Sequence, residues 1–318
     1  MSLHPAHPLH LPWNDVLHAA HSAATKIHGT SSKHPIPNLS TLQLPANLLE
    51  TRGLKVANEV KQFLASPENT QGDGMNLSMV NIFTTRPLTC YSDQGTGQGN
   101  PFKLVDYEIP MSFDARPNSS STQWTHQIQG STPPFYIPIL NETMGHFDAT
   151  HLLEAGELEG RKLTMEERET LDGCKLIQSM IHDLDATLSS GALRSFAAYE
   201  EDLFKKAIPL IHDTFEELDE ESSLVLQRFF KVHGSAVRYT IAKTTRDLLK
   251  SGGEGGDRYN VDDNMTLQSY ALSFLWNQQC NGDFAHGPLI DKVIVGTPKA
   301  EHVIEALQAA DKCDEKNS

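Results

Sequence analysis

The stretch with the most chemical content is Val293-Ile-Val-Gly-Thr-Pro-Lys299. β-branched residues run into Gly296, where a missing side chain lets a ligand approach the backbone. Thr297 suits a helix cap, Pro298 suits the first helical position, and Lys299 adds positive charge beside unpaired N–H groups. A helix start of that kind favours a phosphate, although an ordinary capped strand-to-helix loop uses the same residues. Two further stretches have acid–base potential. Tyr91 with Asp93 and Tyr107 with Asp106 pair a phenol with a carboxylate, but both lie in a segment without strand or helix pattern, so they read as surface residues. His4, His7 and His10 have spacing for a metal, yet Pro5 and Pro8 favour extended backbone and no carboxylate adjoins them.

The elements that must position these groups come from periodicity. Val16, Leu17, Ala20 and Ala24 give a short amphipathic helix from Trp13 to Ile27. Leu42 to Leu44 make a strand limited by Pro45, Leu54 to Leu64 have helical spacing, and Met79 to Thr84 make a second strand that Arg86-Pro87 ends. Gly, Ser, Pro and Gln then dominate from Tyr91 to about Pro138, which reads as a long loop. Thr164 and Glu167 have capping-box spacing, and Cys174, Ile177, Ile181, Leu184 and Leu188 recur behind them as one helical face. Phe229, Val232, His233, Val237 and Ile241 make a second stripe, in which His233 reads as a packing residue. Ser251 to Gly256 is a glycine-rich hinge without the Lys-Ser/Thr ending of a phosphate loop. A helix over Leu267 to Leu275, a strand over Lys292 to Val295 and a helix over Val303 to Ala310 close the chain.

Strand, helix, strand, insertion, helix, strand, helix implies parallel pairing and an α/β core. Four segments follow: 1–38, a mobile arm with a short helix; 39–90, strand and helix units; 91–263, a loop and an acidic helical insertion; and 264–318, a last helix–strand–helix. The 318 residues, 38% of them hydrophobic, suffice for one large or two small cores. The balance of 26 basic and 41 acidic residues, a net −15, argues against nucleic acid or an anionic membrane as partner. Residues 154–221 hold 18 Asp or Glu against 7 Lys or Arg, which reads as a solvated helical surface. Cys90, Cys174, Cys280 and Cys313 have neither disulfide-framework nor zinc spacing. With no apolar run of membrane-spanning length and no targeting pattern at the start, a cytoplasmic location is expected.

Several of these segments together resemble the aldo-keto reductases, particularly the branch that includes the potassium-channel β subunits. Gly296, Thr297, Lys299, His302 and Glu305 fall on the last strand and helix of that family, which hold the adenosine 2′-phosphate end of NADPH. Ala306 stands where the family has Asn, and His302 where it has Gln or Arg. Thr41 to Glu50 is similar to the sixth barrel strand, with Gln43 placed to hold the nicotinamide carboxamide. Thr84-Thr-Arg-Pro-Leu88 is similar to the end of the seventh, with Thr85 in place of the stacking aromatic ring and Arg86, in place of Ser, able to contact pyrophosphate or to pair with a carboxylate.

The resemblance covers residues 10–90 and 264–310. It implies a partial TIM-type (β/α) barrel, late strands only, with a helix-rich insertion, and a parent chemistry of NADP(H)-dependent hydride transfer to a small carbonyl substrate. The family's catalytic aspartate, tyrosine, lysine and histidine belong to earlier strands that have no counterpart here. No catalytic residue is therefore assigned, and the chain by itself is expected to be inactive, as the truncated part of a barrel. Open strand edges favour self-association. The competing expectation is a non-enzymatic scaffold in which the Thr164–Leu188 helix and the Phe229 stripe dock a partner.

Overall fold

The computed structural model describes residues 12–28, 39–65, 80–93, 98–110, 122–193, 195–214, 218–251, 259–280, 288–296 and 300–317. They form a mixed α/β protein, mostly helical, in two compact units: residues 1–105 with 249–318, and residues 106–248. The divisions between the units fall at 105/106 and 248/249. The expected arm outside its helix, the glycine-rich hinge and residues Thr297 to Lys299 lie outside the described residues.

The first unit is built on a three-stranded parallel sheet. Helix α1 (Trp13–His28) precedes strand β1 (Thr41–Pro45), α2 (Arg52–Ala65) follows it, and β2 (Asn81–Thr85) comes next. Much later in the chain, α9 (Leu267–Cys280), β7 (Lys292–Val293) and α10 (Ala300–Asn317) complete the unit. The spatial order is β1-β2-β7, so the strand that chemical spacing singled out joins the sheet beside β2. Among the described residues no closed barrel is formed.

Alternation decides which face of the sheet is covered. Leu42, Leu44 and Ile82 point to one side and pack with Leu17 of α1, Ala57 and Val60 of α2, and Leu275 of α9. The other side carries the row Gln43, Phe83 and Lys292, set side by side by the register. Gln43 and Lys292 are exposed, Phe83 is half-buried, and the Lys292 ammonium lies 5.4 Å from the Phe83 ring centroid. Asp291 fixes β7 to its neighbour: its carboxylate accepts from Ile82 N at 2.7 Å and Lys61 Nζ at 3.0 Å, and its own N–H donates to Ile82 O at 2.9 Å.

The expected long loop contains paired strands. β3 (Thr89–Asp93) and β4 (Gln98–Lys103) form an antiparallel pair in the first unit, and β5 (Glu108–Pro110) pairs with β6 (Thr122–Trp124) in the second. Strands this short, rich in Gly, Gln and Pro, have almost no alternation to read, and pairing across the ladder decides them.

The second unit is helical: α3 (Tyr136–His146), α4 (Thr150–Glu159), α5 (Met165–Ser189), α6 (Phe196–Asp202), a π-helical turn (Leu203–Ala207), α7 (Ile208–Thr214) and most of α8 (Glu220–Ser251). The capping box is formed as its spacing implied. Glu167 N donates to Thr164 Oγ1 at 3.2 Å and Thr164 N to Glu167 Oε2 at 2.8 Å. Ile177, Ile181 and Leu188 of α5 meet Phe229, Val232, Val237 and Ile241 of α8 in one core. Both stripes thus pack inside the unit.

Candidate functional site

Parallel strands align their carboxyl ends, the edge at which such sheets bind ligands. Pro45 and Thr85 are register partners at that edge, and Ile294 N donates to Thr84 O at 2.9 Å to bring the β7 exit beside them. Arg86 and Gly296 therefore leave the sheet at the same edge, and Gln43 lies two residues before it on the uncovered face. Arg86 is exposed and has φ +57°, the only positive φ at a non-glycine position among the described residues. Left-handed backbone at a residue with a side chain costs of order 1 kcal/mol or more and persists only where surroundings hold it.

Asn47 supplies that hold. It is fully buried, and its Oδ1 accepts from Leu49 N at 3.0 Å, Glu50 N at 2.9 Å and the Cys90 thiol at 3.1 Å. Its Nδ2 donates to Thr89 O at 2.9 Å, Glu50 Oε2 at 3.1 Å and Arg86 O at 3.4 Å. One amide thus ties the exit of β1 to the Arg86–Thr89 turn after β2. Burial first, then the charge of Glu50, raises the Cys90 thiol well above its ordinary value, so it stays protonated and donates. Gly53 finishes the junction: a Cβ there would lie 2.1 Å from Pro45 O, so only glycine lets α2 start so close to the strand end.

The remaining expected residues divide. Gly296 has open space, among the described residues, where a Cβ would be. His302 is exposed on α10. Glu305 is engaged inside the unit: its carboxylate accepts from Thr266 Oγ1 at 2.6 Å, Ser269 Oγ at 3.1 Å and Gln268 Nε2 at 3.3 Å, tying α10 to the start of α9. A carboxylate at a helix start is favoured by the unpaired N–H groups there, and that role leaves it poorly placed to bind a ligand.

The second unit holds a buried ionic group that corrects the surface reading of Asp106. Its carboxylate is inaccessible, with Oδ2 2.6 Å from Arg246 Nη2 and Oδ1 2.7 Å from Thr125 Oγ1. His126 Nδ1 lies 3.5 Å from Oδ2, too far for a well-made hydrogen bond, and is otherwise unpaired. Burial alone would raise the Asp106 pKa, but the nearby His126 ring, the hydrogen bonds and charge of Arg246 and the Thr125 hydroxyl outweigh it and bring it down to about 2. No residue pattern announces a partner 140 positions away, whereas Asn47 had a local signal, since Asn just beyond a strand end commonly forms such a turn.

His233 is a packing residue, as its place in the stripe implied. It is buried against the rings of Tyr199 and Phe229, each at 5.4 Å. Leu184 O, 3.3 Å from Nε2, can only accept, so Nε2 bears the proton and Nδ1 accepts from Tyr199 Oη at 2.9 Å. Burial pushes its pKa down to about 4.

Among the described residues no cluster of three His, Cys, Asp or Glu could hold a metal, and no helix is long and apolar enough to cross a membrane. No protein-family model, curated protein or solved structure matches the chain.

Proposed function

We propose that the first unit is an arc of an aldo-keto-reductase-like (β/α) barrel and holds one end of NADP(H), the cofactor that supplies hydride for carbonyl reduction. The supporting observation is that, among the described residues, helices pack on the Leu42, Leu44 and Ile82 face of the β1-β2-β7 sheet, while Gln43 and Lys292 on the other face are exposed. A doubly wound parallel sheet has helices on both faces, whereas a barrel wall has its helices on the outer face alone. Here Gln43, Phe83 and Lys292 form the face opposite the helices. Parallel order with intervening helices is what consecutive barrel strands require.

Gln43 would hold the nicotinamide amide, and Arg86 with Gly296, Thr297 and Lys299 would meet the phosphates; His302 borders that region. Glu305 is left out because it holds α9. The reading assigns cofactor binding and no catalytic residue.

Titrating NADPH into the full chain while following protein fluorescence tests it. Saturable quenching that weakens in Gln43→Ala is expected. The absence of a saturable response at millimolar NADPH would sink the proposal. The scaffold reading lacks comparable support, because the helical stripes it needs are buried.

A further inference from the structure

The walls around His233 in the second unit are unequal. Helices α5 and α8 are long, with 25 and 32 residues. Another side is closed by a broken run: α6 of seven residues, the π-helical turn of five, and α7 of seven. Helices that short make too few internal hydrogen bonds to be stable alone, and a π turn interrupts the bonding register between them. The run is therefore held by what it packs against. Tyr199, Ala207 and Ile211 place its apolar side in the unit's core. Its first helix is fastened to α8 by a hydrogen bond from Tyr199 Oη to His233 Nδ1 at 2.9 Å and by the Arg238 guanidinium carbon, 4.0 Å from the centroid of the Phe196 ring. Gly234 keeps the two helices close: a Cβ there would lie 3.9 Å from atoms of both Phe196 and Tyr199.

The Tyr199 bond depends on His233 being neutral. Nε2 already bears a proton and faces Leu184 O, so a second proton has to go to Nδ1, the atom that accepts from Tyr199. Two donors would then face each other. The new charge would also be enclosed by the rings of Tyr136 at 5.9 Å and of Tyr199 and Phe229 at 5.4 Å. The titratable groups turned toward it are Tyr136 from α3, Asp185 from α5 and Tyr199 from α6, while Arg238 of its own helix adds positive charge on the α6 side. Asp185 is the one carboxylate of this group, and its Oδ1 accepts from the Tyr136 hydroxyl at 2.6 Å. Burial outweighs the pull of that carboxylate on the imidazole. A protonated ring therefore needs water, and the short run is the wall that gives way most easily.

We propose that His233 is an acid-operated latch: taking up a proton breaks its hydrogen bond to Tyr199 and lets the run from Phe196 to Thr214 come away from α8, uncovering α8 around His233 while α3 and α5 stay in place.

Amide hydrogen exchange of the full chain between pH 7 and 4.5, read by mass spectrometry with the intrinsic pH dependence removed, tests this beside far-ultraviolet circular dichroism. Across the window from 6.5 toward 4 the open state holds one more proton than the closed one, so the opening constant of Phe196–Thr214 should rise about tenfold for each pH unit lost. Peptides from α3 and α5 should keep their protection. His233→Gln can accept from Tyr199 and takes up no proton, so its rise should be absent. Tyr199→Phe should raise exchange of the run already at pH 7. Protection of the run that does not change with pH in the wild type overturns the proposal. So does an equal rise in His233→Gln, or a loss of protection in α3 and α5 together with the run, which marks global acid unfolding. If His233→Gln lacks a folded spectrum, Tyr199→Phe decides: exchange of the run at pH 7 equal to that of the wild type overturns the latch.

Discussion

The two units each bury one dense polar junction, and the two are built on different principles. In the first, Asn47 is neutral: six hydrogen bonds satisfy its amide without a counter-ion. In the second, Asp106 and Arg246 form an ion pair that is stable only while both members are present and charged. The neutral junction draws on local turns plus the nearby β2 exit. The charged one joins chain segments 140 residues apart. A buried pair that has lost one member is worse than no pair, because the survivor keeps its desolvation cost without the attraction that offset it. An amide replaced by a small apolar group leaves only hydrogen-bonding groups unmet.

The largest test of this contrast is Asp106→Asn, which leaves Arg246 buried with no anion. A loss of about 3–5 kcal/mol of unfolding free energy in urea is expected, the range for breaking a buried pair from one side. A loss below about 1 kcal/mol would mean that water or another group compensates Arg246.

Next in size is pH. His233 is neutral in the fold with its pKa lowered to about 4, against an ordinary 6.5, so the unfolded chain binds the additional proton. Its contribution is fully present above pH 6.5 and lost as the pH falls toward 4, on the order of 3 kcal/mol in all. Asp106, lowered from 3.8 to about 2, adds a second loss that begins only as the pH falls below 3.8. Amide hydrogen exchange resolved by unit should therefore show α8 near His233 opening first on acidification, with the Asn47 junction following no such curve. Equal acid sensitivity in both units would erase the distinction. His233→Gln should flatten the slope between pH 6.5 and 4.

The smallest effect belongs to Asn47→Ala, at about 2 kcal/mol, because several of its partners are backbone groups at turns that water can reach once the amide is gone. Its signature is local: the Arg86 turn should become accessible to protease while the helical unit keeps its protection. A loss as large as that of Asp106→Asn would show that the charge difference is not what separates the two junctions.

Much of the scaffold could be read along the chain. Residues Leu42 to Leu44, Met79 to Thr84 and Lys292 to Val295 marked the three strands, the last of which ends earlier, at Val293, and the 3.6-residue recurrence from Cys174 to Leu188 marked the longest face of α5. The capping box at Thr164 followed from spacing alone, since both partners lie within one turn. The two short antiparallel pairs between Thr89 and Trp124 did not, because β5 and β6 have three residues each and the β3–β4 register shifts between Tyr91 and Asp93, so neither pair has an alternation of its own. Of the candidate site, Gln43, Arg86 and Gly296 fall at one end of the sheet, and Glu305 proved to be spoken for by Thr266, Ser269 and Gln268.

By itself, then, the amino-acid order determined what depends on neighbours a few positions apart: helix faces, caps, strand limits and the parallel α/β grammar. Tertiary structure alone decided which charges found partners. Asp106 became buried because Arg246 met it, and Arg238 was left to the ring of Phe196. The reason is one of range. Backbone preferences act within a turn, whereas the cost of removing a charge from water is met only by whatever the completed fold brings beside it.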